Sequence, residues 1–364
     1  MRAWLLLLAA TLFPVLPASG QEWQEQWKRT VAAAEKEGAL VMNSQPNRNA
    51  REFLQREWEK AYPKITLSST VVPTPQFISR IKTERATGRY LWDFAIAGSN
   101  TAYILSRDGI VDPLAPEFML PDIRDPETWG GWDRVFVDRE RKYAFAITGF
   151  LKSPFYNAQR IPPEKVKEMG LRILLDPAYK ERIVWHDPSL PGSGQSFAYV
   201  LRSRLGDEGL KRLIVDQKVR IVKGQNEVVE AIARGTAWIG IGPIIEPLLE
   251  PYEKAGLKLD VRPFGNAPEV NEMSMGGAGL YIFNRRPHPN ATRVFVNWLL
   301  SKDVQTAFAR TMEQDTRRVD VPAVSPPDRA PLKGARYIET QREELTDQVN
   351  AAGKLVEQLR ELAK

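Results

Sequence analysis

The chain has 364 residues, 43% of them hydrophobic and 26% charged, with a formal net charge of +6 and no cysteine. That length exceeds what one hydrophobic core usually supports, so two domains are expected in a soluble globular protein. The missing cysteine excludes a cysteine nucleophile, thiolate metal sites, a thioether-held cofactor and a lipid-modified N-terminal cysteine, and the interspersed charges exclude a nucleic-acid-binding tail.

Residues 1–20 read as an export signal. Arg2 is the positive start, Leu5 to Phe13 an apolar run, and Ala18-Ser19-Gly20 a small-residue cleavage pattern. The run is shorter than the roughly 20 apolar residues that span a bilayer. Cleavage after Gly20 is expected, which leaves Gln21 first and places the protein outside the cytoplasm. The basic balance that remains points weakly to an acidic small ligand.

Helical spacing runs through Trp23, Trp27, Val31 and Ala34 and stops at Gly38. Ala39 to Asn43 reads as a buried strand, followed by the polar loop Ser44 to Arg48. A helix is expected from Asn49 to Ala61, a strand from Ile65 to Val72 and a helix from Ile78 to Thr87. The strand Trp92 to Ala97 leads through Gly98-Ser99-Asn100 into another helix. After a Pro/Asp-rich stretch, strands are expected near Val135 to Val137 and Tyr143 to Ile147.

A second alternating unit runs from about Ile183 to Arg262. It comprises strand 183–185, helices 196–205 and 209–217, strand 219–222, helix 226–234 and strand 238–242. Gly279 to Phe283 is a further strand, Ala291 to Arg310 one long amphipathic helix, and Ile338 to Leu362 a helical tail. Alternating strands and helices predict an α/β fold with mainly parallel sheets.

In such sheets ligands bind beyond the carboxyl ends of the strands. Four loops at strand ends are small and polar: Ser44-Gln45, Gly98-Ser99-Asn100, Gly192-Ser193-Gly194-Gln195-Ser196 and Gly224-Gln225-Asn226. Each presents backbone N–H groups at a helix start, which suits a carboxylate or phosphate. Any one of them is an ordinary cap; four together indicate a ligand cleft. The histidines, His186 and His288, stand at no recognisable triad spacing, and no phosphate-loop, zinc-protease or calcium-loop motif occurs. The chain is therefore expected not to be an enzyme and to need no cofactor.

Several stretches together resemble the solute-binding proteins of ABC importers, in the group that contains the ferric-iron binders (extracellular solute-binding protein family 1). They are Trp92-Asp93-Phe94-Ala95-Ile96 with Leu105 to Val111; Phe155-Tyr156-Asn157 with Leu174 to Ile183; Asp187-Pro188; Pro289-Asn290-Ala291 through Phe295, Leu299, Leu300, Ser301 and Gln305; and Arg317 to Val321. The motifs are individually weak, but their order covers residues 25 to 325.

The resemblance implies a type II periplasmic binding protein fold: two lobes with central mixed sheets flanked by helices, two crossover hinge strands and a cleft that closes on ligand. The lobes would be 21–145 with 273–320, and 146–272 with 321–364. Crossovers are expected near Ala144 to Ile147 and Met273 to Met275. A periplasmic location, an ABC permease with its ATPase as partner, a monomeric state and no nucleic acid also follow.

The residues aligned with the iron ligands of that group are about Pro46, Gly98 and Ile241-Gly242-Pro243, which supply no imidazole or hard oxygen side chain. No metal site is expected, and a small organic anion is the favoured ligand. Its candidate contacts are Ser44, Gln45, Arg48, Gly98, Ser99, Asn100, Thr148, Ser193, Gly194, Gln195, Ser196, Asn226 and Gly242. Trp185 and Phe150 are candidate stacking residues. An iron or iron–anion carrier and a receptor-docking sensor of the same fold are the alternatives.

Overall fold

The computed structural model describes residues 19–45, 47–242 and 246–363. The export signal lies outside these residues except for Ser19 and Gly20, which open the first helix, Ser19–Glu37. Pro46 and Pro243 also lie outside them.

Two separate β-sheets organise the chain. The larger is built from β1 (Ala39–Ser44), β2 (Thr66–Thr70), β3 (Phe94–Ala97), β4 (Val111–Asp112), β5 (Phe145–Ala146) and a late strand, Gly279–Phe283, in the order β2-β1-β3-late strand-β4, with β5 also on the late strand. The first three strands are parallel and the late strand runs antiparallel to them. After β6 (Phe150–Lys152), the smaller sheet takes β7 (Phe155–Asn157), β8 (Ile183–His186), β9 (Arg220–Val222), β10 (Ile239–Ile241) and β11 (Val261–Pro263), in the order β11-β7-β10-β8-β9. Strands β8, β9 and β10 are mutually parallel. Between the sheets, β6 pairs antiparallel with β12 (Glu272–Ser274), and the late strand is β13.

Side-chain alternation places a core on both faces of each sheet, as the two-residue period of a strand requires. Phe94, Ile96, Leu280 and Ile282 face Trp58, Phe295 and Leu299, whereas Ala95, Ala97, Tyr281 and Phe283 face Phe77, Ile81 and Leu105. In the smaller sheet Ile183 and Trp185 point to one side with Phe197 and Leu201, and Val184 points to the other with Val228 and Ile232. Each such aromatic or aliphatic side chain contributes about 1.5–3 kcal/mol on burial. The C-terminal helix, Thr346–Leu362, lays Ala352, Val356 and Leu359 on the smaller sheet's core.

Four elements differ from the sequence reading. Phe145–Ala146 is a strand of the larger sheet, paired with Gly279 and Leu280, so the first crossover comes later, at the β6–β12 ribbon. Residues 132–135 form a helical turn instead of a strand, and Phe136 only bridges Phe145. The long late helix is broken at Ser301, whose ψ of 152° is extended, into Pro289–Leu300 and Lys302–Met312. The tail is not helical before Thr346, because Ile338 pairs with Glu272 beside the ribbon and its carbonyl accepts from Met273 N at 2.8 Å. By contrast, Gly206 (φ 73°) interrupts the Ser193–Lys211 helix at the point where two helices were expected.

His288 is part of this framework. Its Nδ1 lies 2.8 Å from Asp93 Oδ2, and its backbone N–H donates to Oδ1 at 2.8 Å. Val41 N–H also donates to Oδ2. Burial pushes the Asp93 carboxyl above the usual carboxylate range, against the pull of these bonds.

Candidate functional site

Each of the four polar loops follows the carboxyl end of a parallel strand: β1, β3, β8 and β9. Those ends fall into two groups, one on each sheet, with the β6–β12 ribbon between them.

On the larger sheet, Ser44 closes β1 in register with Ile96, and Gln45 N–H donates to the Ile96 carbonyl at 2.7 Å. Ser44 is 3% exposed and Gln45 7%, yet Ser44 Oγ and Gln45 Nε2 have no hydrogen-bond partner among the described residues. Such orphaned polar groups are rare in folded proteins, because a buried donor without an acceptor costs about 1–3 kcal/mol. The backbone of Gly277 comes so near that a Cβ there would sit 2.8 Å from Gln45 Oε1. Gly98 caps the helix Ser99–Arg107 without a side-chain bond, leaving its first N–H groups to outside partners. Ser99 is buried, and its hydroxyl donates to the Gln341 carbonyl at 3.0 Å.

On the smaller sheet, β8 ends at His186, and the chain returns through a loop to the helix that begins at Ser193. Gly192 starts this helix with φ 144°, and Ser196 N–H donates to its carbonyl at 3.0 Å. Gly194 is obligatory, since a Cβ would lie 1.9 Å from the His186 carbonyl oxygen. Gly242 follows β10 with φ 119°, where a Cβ would meet His186 Cβ at 2.8 Å and Ser193 Oγ at 3.5 Å. His186, Ser193, Gly194 and Gly242 therefore form one patch. Within it, His186 Nδ1 lies 3.0 Å from Ser193 Oγ. Burial holds the imidazole below the usual histidine range, although the Lys223 backbone and the Asp187 carboxylate pull the other way.

The ribbon joins the two groups through polar contacts. Glu272 is fully buried and accepts from Lys152 Nζ, from Ser196 Oγ at 2.8 Å and from Thr340 Oγ1 at 2.5 Å. Gln341 accepts at Oε1 from Ser274 Oγ (3.0 Å) and Met275 N–H (2.9 Å), and its Nε2 donates to the Gly276 carbonyl at 2.7 Å. The ribbon and the tail segment bridged to it at Ile338 thus link the two groups of strand ends.

The remaining candidates lie elsewhere. Arg48 is exposed on the first turn of its helix and pairs with Glu52 at 2.6 Å. Asn100 and Asn226 are exposed. Gln195 turns toward Gly353 of the C-terminal helix, and Ser196 toward Glu272. Thr148 is fully buried, its hydroxyl donating to the Met275 carbonyl at 3.2 Å. Of the stacking candidates, Trp185 is core, with its indole N–H donating to the Gly194 carbonyl at 3.2 Å, whereas Phe150 lies against Gly276.

Sequence reasoning passed over His186, Lys152, Glu272, Gln341 and the Gly276-Gly277 pair. A signal existed for two of these: His186 is the last residue of a buried strand, and Gly276-Gly277 opens a glycine-rich run before β13. Gln341 was hidden inside a segment with helical spacing. Among the described residues no group of three or more histidine, aspartate or glutamate side chains that could hold a metal ion comes together.

No protein-family model and no curated protein sequence matches this chain. Solved structures match it over nearly their full length. Iron-bound HitA from Pseudomonas aeruginosa superposes with a TM-score of 0.63 at 18% identity, covering 88% of this chain and 99% of that one. The Trichodesmium protein IdiA (FutA), in complex with iron and citrate, gives 0.65 at 17% identity, covering 88% and 99%. The periplasmic binding protein AfuA from Actinobacillus pleuropneumoniae, with fructose-6-phosphate bound, gives 0.59 at 16% identity, covering 89% and 99%. At these identities the likeness establishes the fold, which is the two-lobe architecture of the periplasmic binding proteins.

Proposed function

We propose that this two-lobe protein is the periplasmic substrate-binding component of an ABC importer, which holds a small organic anion between its lobes and delivers it to a permease. The observation that carries the reading is the pair of buried polar atoms, Ser44 Oγ and Gln45 Nε2, at the carboxyl end of β1, which find no partner among the described residues. An amide N–H there calls for an acceptor oxygen, and the uncapped helix start at Gly98 adds donors of the same sign. Ser193, Gly194 and Gly242 would form the opposite wall, with a second helix N-terminus. The neighbours whose structures hold iron with citrate or a sugar phosphate bind oxygen-rich anions in this fold, which supports the same class here.

In this reading the larger-sheet residues 21–146 with 279–320 form one lobe, the smaller-sheet residues 153–271 with 321–364 form the other, and binding closes them about the β6–β12 ribbon. Export to the periplasm with cleavage after Gly20, a monomeric state and the absence of catalysis belong to the same proposal. A thermal-shift screen of the mature protein against carboxylates, sugar phosphates, amino acids and ferric salts tests it. Stabilisation by an organic anion, lost in Gln45→Leu, is the expected result. Stabilisation only by ferric citrate would replace the reading with an iron–anion carrier, for which the neighbouring structures give precedent. Turnover of a stabilising compound would overturn the binding role.

A further inference from the structure

His186 and Ser193 come together only through the fold, and their hydrogen bond has a chemical consequence for the wall they share. A neutral imidazole carries one ring proton. The Lys223 backbone acts on the ring as an acceptor that favours its protonated form. In the tautomer whose single ring proton sits on Nε2, Nδ1 is bare, and the Ser193 hydroxyl donates to it across 3.0 Å. The Ser193 lone pairs then face outward, and the residue acts as an acceptor. That suits a ligand N–H or O–H and opposes an oxyanion. When the ring gains a second proton, Nδ1–H donates to Ser193 Oγ, and the hydroxyl proton is released for an anion.

We propose that His186 sets the ligand specificity of this wall: its protonation turns Ser193 from an acceptor into a donor, so an oxyanion binds with uptake of one proton. The inference rests on the anion reading of the cleft. Every charged group facing the ring bears on the equilibrium. Asp187 on the following residue and Glu227 on the Gln225–Ala233 helix favour the charged ring, and Lys152 of the ribbon opposes it. Lys152 is engaged by Glu272, and Asp187 by Ser189 and Arg360. Burial keeps the unliganded ring below the usual histidine range, so the free protein holds it neutral at and above neutral pH. An anion seated at the Ser193 helix start supplies the charge that reverses this balance.

The test uses two probes whose own charge is constant from about pH 6 to 8, glucose 6-sulfate and oxalate, titrated calorimetrically into the mature protein across the range where histidine changes charge. Affinity is expected to rise by up to about tenfold per pH unit as pH falls, with about one proton taken up in buffers of different ionisation enthalpy. In His186→Asn the side-chain amide nitrogen stands near the Nδ1 position and donates to Ser193 at every pH, so binding should vary by less than about twofold. Ser193→Ala should lose the pH dependence as well. Nitrogen NMR of the free protein should show Nδ1 unprotonated at pH 8. Binding without proton uptake, an Nδ1-protonated neutral ring, or the wild-type pH slope in His186→Asn would each overturn the role of His186 alone. Failure of both probes to bind at any pH, in wild type and His186→Asn alike, would overturn the anion reading itself.

Discussion

The Lys152–Glu272 pair offers the sharpest test of how the two lobes are held. Glu272 is fully buried on the ribbon, and the Lys152 side chain is 10% exposed. The carboxylate collects a lysine from β6, a hydroxyl from the Ser193–Lys211 helix and another from Thr340 of the tail segment, so one group ties three segments together. Removing one partner of a buried pair leaves the other charge without compensation, which costs about 3–5 kcal/mol. Lys152→Met and Glu272→Met are each expected to lose that much in urea unfolding followed by tryptophan fluorescence. The double variant removes both charges and forfeits the two hydroxyl bonds to Glu272 and the longer Lys152–Ser196 bond of 3.3 Å, each worth about 1 kcal/mol or less, partly offset by new apolar contact. It should therefore be more stable than either single variant, with a coupling energy of at least about 2 kcal/mol. Additivity within about 0.5 kcal/mol would show that the pair is solvated in solution and would refute the argument.

Other substitutions probe the two walls. Gln45→Leu removes a buried donor that has no partner among the described residues, so the free protein should keep its stability or gain about 1 kcal/mol while ligand-induced thermal shifts disappear. A loss of more than about 2 kcal/mol in the free protein would mean that the amide is structurally bonded. Gly194→Ala places a Cβ 1.9 Å from the His186 carbonyl oxygen, 1.5 Å inside the ordinary 3.4 Å contact. The backbone must move, and a loss of about 3 kcal/mol or more is expected in chemical unfolding, together with the His186–Ser193 contact. A Gly194→Ala stability near the wild-type level would require a wider approach of β8 to this helix. The depressed folded-state pKa of His186 fixes a sign for pH dependence. The unfolded chain binds more protons, so its contribution is complete above about pH 6.5 and is lost as pH falls through the folded value. Urea midpoints measured from pH 8 to 5 should fall less steeply on the acid side in His186→Asn than in wild type.

Much of this architecture was legible because it is written in local periodicity. Phe94 and Ile96 alternate with Ala95 and Ala97, and both sets are buried on opposite faces of the sheet, as a two-residue period demands. The break expected between two helices falls at Gly206, where the backbone adopts φ 73°. The polar loops at Ser44, Gly98 and Ser193 were found by one rule, that open α/β sheets bind ligands at the carboxyl ends of their strands. The segment around Ile338 misled for the opposite reason. Its apolar spacing is helical, but pairing beside Glu272 supplies its backbone with hydrogen bonds that a helix would otherwise provide, and tertiary context wins over propensity.

By itself the sequence determined the alternation of strands and helices, the positions of the polar loops and the residue types available to meet a ligand. It could not determine which polar groups meet one another, because those partners are set by how separate segments cross. Only the folded chain decided that Ser44 and Gln45 end buried with atoms unpaired among the described residues, that Arg48, Asn100 and Asn226 face water, and that His186 reaches Ser193. Only it brought Lys152 to Glu272, because hydrogen bonding acts over about 3 Å of space, whatever the separation along the chain.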